Sequence, residues 1–294
     1  MAYTEYIYRS HWCVEHVFVY VGKRGSRNEK RADRKKATPE DIRRQNHRNK
    51  VNYIRRTIQL NFKQGDLWLT LKYPKGTRKP IEEVKGDLQR FLRKMRSRYK
   101  KAGSELKYIA SVEIGKQGGI HVYIVMNRLN DPKADLKISD AWTRARGMTP
   151  IEDMIEDGLC PADGLAHLDH VREVGDGQRL AEYIAKEQPM ELDDGTLLSK
   201  EELKKIIGFS SSKNLLRPEP EVKVYAHWTM KEILDLQAHG LNSKPNKYRT
   251  IGYTVDKDSW VQGVNEYTGM SYLRYMEYPS AKMNCDFWRN ITGG

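Results

Sequence analysis

Lys107–Asn127, KYIASVEIGKQGGIHVYIVMN, is the stretch from which the rest of the chain is read. Two alternating apolar runs flank the Gly-rich break GKQGG, the signature of a β-hairpin. Pairing Ile114 with Ile120 across that break sets Glu113 opposite His121 and Ser111 opposite Tyr123. Residues two apart on a strand share a face, and so do directly opposed residues. Glu113, His121 and Tyr123 should therefore gather on one side of the hairpin. Tyr108, Ala110, Val112, Val122, Ile124 and Met126 fall on the other side and should be buried. A carboxylate, an imidazole and a phenol on one rigid surface form a candidate ion-binding or phosphate-handling site.

The segments before the hairpin supply what such a sheet needs. Leu67–Tyr73 (LWLTLKY) reads as a strand with Leu67, Leu69 and Leu71 pointing one way and Trp68, Thr70 and Lys72 the other. Over Ile81–Lys101, apolar residues recur at Val84, Leu88, Phe91, Leu92, Met95 and Tyr99, a helical period that should lay one stripe across the sheet. The opposite face carries Arg93, Lys94 and further bases, either as a solubility surface or as part of a nucleic-acid channel. Thr38-Pro39-Glu40-Asp41 is a helix start, with an N-cap hydroxyl, Pro at the first helical position and acids in the first turn. The helix that follows carries Arg43, Arg44, Arg48, Arg55 and Arg56 against few acids. That one-sided charge suits phosphate tracking at least as well as a merely solvated face. Ahead of it, residues 11–20 alternate as a strand, and the segment from Gly22 to Lys36 reads as an exposed basic arm.

Beyond the hairpin, a polar stretch contains Trp142, and Leu165–Val174 reads as a strand with His167 and Asp169 on one face. GQRLAEYIAKEQ is a helix ended by Pro189, with Leu180 and Ile184 as its buried stripe. Tyr183 and Lys186 are three apart and project from one side of it. GFSSSKNLLRPEPEV reads as a linker, Thr229–Glu232 as a capping-box helix start, and YRTIGYTV with SYLRYMEY as a hairpin.

Composition narrows the partners. The net charge of +13 and pI near 9.4 favour a polyanion, nucleic acid before membrane. Cys13, Cys160 and Cys285 match no zinc spacing and read as reduced thiols. No run of about 18 apolar residues and no signal-peptide core are found, so a cytoplasmic protein with no membrane partner is expected. No GxxxxGK[ST] loop occurs, which argues against an ATP-driven motor in this chain.

Taken in order, LWLTLKY, KYIASVEIGKQGGIHVYIVMN, LAEYIAKE and SSSKNLLRP resemble the HUH endonuclease superfamily, specifically rolling-circle replication initiators of bacterial phages and plasmids. No one of these motifs is specific; the ordered set over roughly residues 40–220 is. The resemblance implies that a helix-borne tyrosine attacks single-stranded origin DNA, leaving a 5′-phosphotyrosine and a 3′-hydroxyl primer. It makes Tyr183 the nucleophile and Lys186 a phosphate-positioning group, with Glu113 and His121 holding Mg²⁺ or Mn²⁺. It also implies an origin as partner, served by host helicase and polymerase in a bacterial cell. The chain departs from the pattern at one place. The second motif histidine is Tyr123, a poor ligand for either metal. A further ligand would have to come from His16, His167 or Asp169 if their strands lie beside the hairpin. Two other readings follow: an attenuated relative that binds an origin or promoter without cleaving it, and a mobile-element relaxase or transposase.

The expected fold is α+β, a central antiparallel sheet of about five strands with helices on one face. Residues 1–214 should form the nuclease-like domain with its basic arm and helix, and 215–294 a small accessory region. Arg43, Arg44, Arg48, Arg55, Arg93 and Lys94 are the expected DNA contacts.

Overall fold

In a computed structural model, residues 3–20, 33–148, 166–172, 176–206, 208–225 and 250–280 are described. They form an α+β protein with two five-stranded, wholly antiparallel sheets and five helices among the described residues. The chain divides into two compact units, 50–216 and the pair of segments 1–49 and 217–294.

The unit formed by 50–216 carries the hairpin. Its strands are β3 (Leu67–Lys72), β4 (Tyr108–Ile114), β5 (Ile120–Met126), β6 (Ala166–His170) and β7 (Ser210–Ser211), ordered β6-β3-β5-β4-β7. Helix α2 (Ile81–Lys101) connects β3 to β4, and β5 returns between them, so β3 and β4 run parallel with an antiparallel strand inserted. Helix α3 (Ala134–Ala145) then leads towards β6 on the far side of β3. This β-α-β-β-α-β order is the split βαβ arrangement of ferredoxin-like domains.

Alternation dictates the core. Leu67, Leu69, Leu71, Tyr108, Ala110, Val122, Ile124 and Met126 are buried on one face. They pack with Val84, Leu88, Phe91, Leu92, Met95 and Tyr99 of α2 and with Ile138, Ala141 and Trp142 of α3. Trp142, read from sequence as lying in a polar stretch, is a fully buried helical residue whose indole N–H donates to the Lys72 carbonyl at 2.9 Å. Gly115 and Gly119 close the β4–β5 turn through a 2.7 Å backbone bond, and Gly118 takes φ +77°, which a side chain would strain. Helix α4 (Asp176–Ala185) lies on the other face, where Tyr183 meets the rings of Trp68 and Tyr123. The expectation of helices on one face alone is thus corrected. The α4 stripe of Leu180, Ala181 and Ile184 is buried there, as are Ile109 and Val125 of the sheet. Helix α5 (Lys200–Ile206), unmarked in the sequence reading, adds Ile206 to the main core.

The other unit orders its strands β8-β1-β2-β10-β9, from β1 (Tyr3–Arg9), β2 (Val14–Tyr20), β8 (Glu221–Tyr225), β9 (Tyr253–Asn265) and β10 (Met270–Pro279). The expected C-terminal hairpin is β9–β10. The chain divides at 216/217, close to the anticipated 214/215, but the N-terminal strands join the C-terminal sheet instead of the hairpin's sheet. Alternation marks a strand without naming its neighbours, and β8 lay hidden in what read as a linker. Helix α1 (Pro39–Asn61) begins with the expected box: Thr38 Oγ1 accepts from the Asp41 N–H at 3.2 Å, and Asp41 accepts from the Thr38 N–H at 3.0 Å. The helix start read at Thr229 and most of the basic arm lie outside the described residues.

Candidate active site

The register of the hairpin places the site. Ile114 pairs with Ile120, Glu113 with His121 and Ser111 with Tyr123. On β3, Lys72 stands opposite His121 and Thr70 opposite Tyr123. One row across the sheet therefore reads Lys72–His121–Glu113, and the next His167–Thr70–Tyr123–Ser111. Side chains facing each other this way have Cβ atoms roughly 5 Å apart.

Helix α4 closes over the rows. The Tyr183 ring lies 5.6 Å from the Tyr123 ring and 6.0 Å from that of Trp68, and Tyr183 is 43% exposed. Trp68 and Tyr123 are both buried and stack at 5.3 Å and 6°, so the phenol above them rests on a rigid floor. Lys186, one residue past the helix, donates to Glu113 Oε1 from its half-exposed ammonium. Gln188 fixes this arrangement. It accepts from the Ile114 N–H at 2.8 Å and donates to the Val112 carbonyl at 3.0 Å, bracketing Glu113 on the edge of β4. Sequence reasoning missed Gln188; only the open edge left by the two-residue β7 would have pointed to it.

Charge and burial set the protonation states. Burial draws the His121 pKa down; Glu113 opposes this, but Lys72 and Lys186 reinforce it, so the imidazole is neutral near pH 7. Burial, a hydrogen bond to Glu113 and the Glu113 charge push the Tyr123 phenol well above its ordinary range. Its hydroxyl also lies 3.4 Å from His121 Nδ1. Tyr123 is therefore a protonated phenol tied to both neighbours, and it offers no phenolate to a cation. The buried Ser111 hydroxyl on the same face has no hydrogen-bond partner among the described residues.

The expected Mg²⁺ or Mn²⁺ would find two side-chain donors, Glu113 and His121, with the carboxylate already held by Lys186. His167 and Asp169 stand on β6, opposite Thr70 and Trp68, with β3 between them and the hairpin. His16 belongs to the other sheet, where Glu5 and Glu277 take both of its ring nitrogens. Among the described residues no group of three His, Cys, Asp or Glu side chains is arranged to hold a metal. The donor set present does not fit a three-ligand divalent site.

The expected DNA contacts separate into three kinds. Arg43, Arg44 and Arg48 are exposed on α1. Arg55 is fully buried and donates to Gln59 at 3.0 Å, so its place on an exposed basic face is corrected: it lies on the inward stripe with Val51, Ile54 and Ile58. Arg93 and Lys94 lie on the outer side of α2, and the sheet stands between them and Tyr183. They do not belong to the site.

Residues 66–188 match a family of replication-associated proteins, that of the ORF2 type. The matched segment is less than half of the chain, but it runs from β3 through Gln188 and contains every residue of the site. The similarity supports a replication-initiator role and, with it, DNA at an origin as partner. No curated protein matches the chain, and neither does any solved structure. No helix among the described residues is long and apolar enough to cross a membrane.

Proposed function

We propose that the protein initiates replication by nicking single-stranded origin DNA through Tyr183. The observation that carries this reading is a half-exposed phenol on α4, seated over the Trp68–Tyr123 stack, with Lys186 of the same segment reaching Glu113. In the reaction the Tyr183 oxygen bonds to phosphorus as the bond from phosphorus to the 3′-oxygen breaks. The phenol proton leaves to a base, for which the neutral His121 is suited, and the departing 3′-oxygen takes up a proton. A 5′-phosphotyrosine and a 3′-hydroxyl result, the latter a primer for host polymerase and helicase. Lys186 and Lys72 supply positive charge against one carboxylate, a balance that favours an incoming phosphodiester anion. Transesterification keeps the phosphoester bond in the covalent link, so rejoining needs no ATP.

The test is an adduct assay. Full-length protein is mixed with a randomised pool of single-stranded oligonucleotides and Mn²⁺, then resolved under denaturing conditions. The wild type should retain DNA covalently and Tyr183→Phe should not; an adduct in the variant would remove Tyr183 as nucleophile. A second reading, an origin- or promoter-binding relative without cleavage, is favoured by Tyr123 in the second histidine position and by Lys186 on Glu113. It predicts salt-sensitive DNA binding and no adduct from the wild type. A relaxase or transposase would share the adduct and differ in the strands it accepts.

A further inference from the structure

Glu113 is 5% exposed, and a carboxylate so placed is costly unless a cation accompanies it. Lys186 provides that cation, and it is not a loosely placed surface lysine. Two residues further on, Gln188 bonds the backbone on both sides of Glu113, which fixes the point from which the lysine stem reaches the carboxylate. Lys72, opposite His121, adds a second ammonium to the same row. A divalent ion approaching Glu113 and His121 therefore meets a carboxylate already neutralised, and a protonated phenol where a third donor would be useful.

We propose that Lys186 is the resident counter-cation of Glu113, and that a divalent ion gains the Glu113–His121 pair only by displacing it. The inference rests on reading Glu113 and His121 as the phosphate-handling pair, but its test uses neither DNA nor turnover. It stays distinct from the question of whether Tyr183 cleaves.

The experiment titrates Mn²⁺ alone into full-length protein and follows the loss of the free-ion electron paramagnetic resonance signal. Thermal melts establish that each variant is folded. Lys186→Gln, which removes the competing charge, should bind Mn²⁺ at least about tenfold more tightly than the wild type, as expected when a buried carboxylate is left without a partner. Lys186→Arg, which keeps the charge, should bind like the wild type. Lys186→Gln combined with Glu113→Gln should lose the gain, which places the ion at Glu113. Equal or weaker Mn²⁺ binding by folded Lys186→Gln overturns the proposal, and so does a gain that survives Glu113→Gln.

Discussion

Gln188 accepts a hydrogen bond from the backbone N–H of Ile114 at 2.8 Å, standing in for a neighbouring strand at the uncovered edge of β4. With its second bond, to the Val112 carbonyl, it ties the end of the tyrosine helix to the residues on either side of Glu113. Gln188→Ala should lose about 1–3 kcal/mol of stability, since it leaves two backbone groups without a partner. Its larger effect should fall on adduct formation, because the phenol is aimed through this contact. Urea denaturation measures the first; the rate of adduct formation at saturating oligonucleotide measures the second. A variant that loses stability but keeps its full rate would deny Gln188 any aiming role.

Two arginines of one helix should behave differently. Arg48 is exposed on α1, and Arg48→Ala should weaken binding to all single strands about equally and lower the salt slope by about one phosphate contact. Arg55 is buried against Gln59, and Arg55→Ala should instead cost roughly 2–4 kcal/mol in stability through lost packing and an orphaned partner. Affinity against salt concentration, read beside a urea melt, separates the two.

The second sheet contains a buried acid–histidine–acid chain that predicts a pH dependence. His16 Nδ1 lies 2.6 Å from Glu5 and Nε2 3.2 Å from Glu277; Tyr225 donates to Glu5 and the Thr250 N–H to Glu277. The rings of Phe18 and Tyr275 stack against the imidazole. Burial draws the His16 pKa down, but hydrogen bonds and charges from Glu277 and Glu5 outweigh it and leave it raised above 6.5. Burial raises the Glu277 pKa, while His16 and Thr250 lower it further, leaving it below 4.5. The His16 contribution is therefore fully present below pH 6.5 and fades as pH climbs through the raised value. That of Glu277 is present above pH 4.5 and fades as pH falls through the lowered one. Stability should plateau between these limits and decline on the alkaline side by about 1.4 kcal/mol for each unit of His16 elevation. Melting temperature against pH checks this, and His16→Gln should flatten the alkaline limb.

Much of the hairpin's sheet could be read from the sequence, because alternation and a Gly-rich turn fix register without outside help. The pairing of Glu113 with His121 follows from counting residues back from Gly115 and forward from Gly119. The Tyr183 helix could be located but not docked, since docking depends on Gln188 meeting backbone atoms that carry no sequence signature. Arg55 looked like its basic neighbours because a charge count cannot tell which turn of a helix faces inward. Trp142 sat among Lys, Asp and Arg, and those charges hid a helix whose apolar residues are small. The membership of β1 and β2 was not legible at all, because their partners lie more than two hundred residues away in the chain.

The reciprocal bonds between the Asn61 side chain and the Leu216 backbone, 2.8 Å and 2.7 Å, draw together the two places where the chain joins the hairpin's unit. A module whose ends are stapled side by side can be spliced into another fold, or lifted out of one, with little disturbance to either. Residues 50–216 have the form of such a cassette, and the split host around it is what one would expect where a nucleic-acid-processing unit had been set into a surface turn of a separate sheet protein.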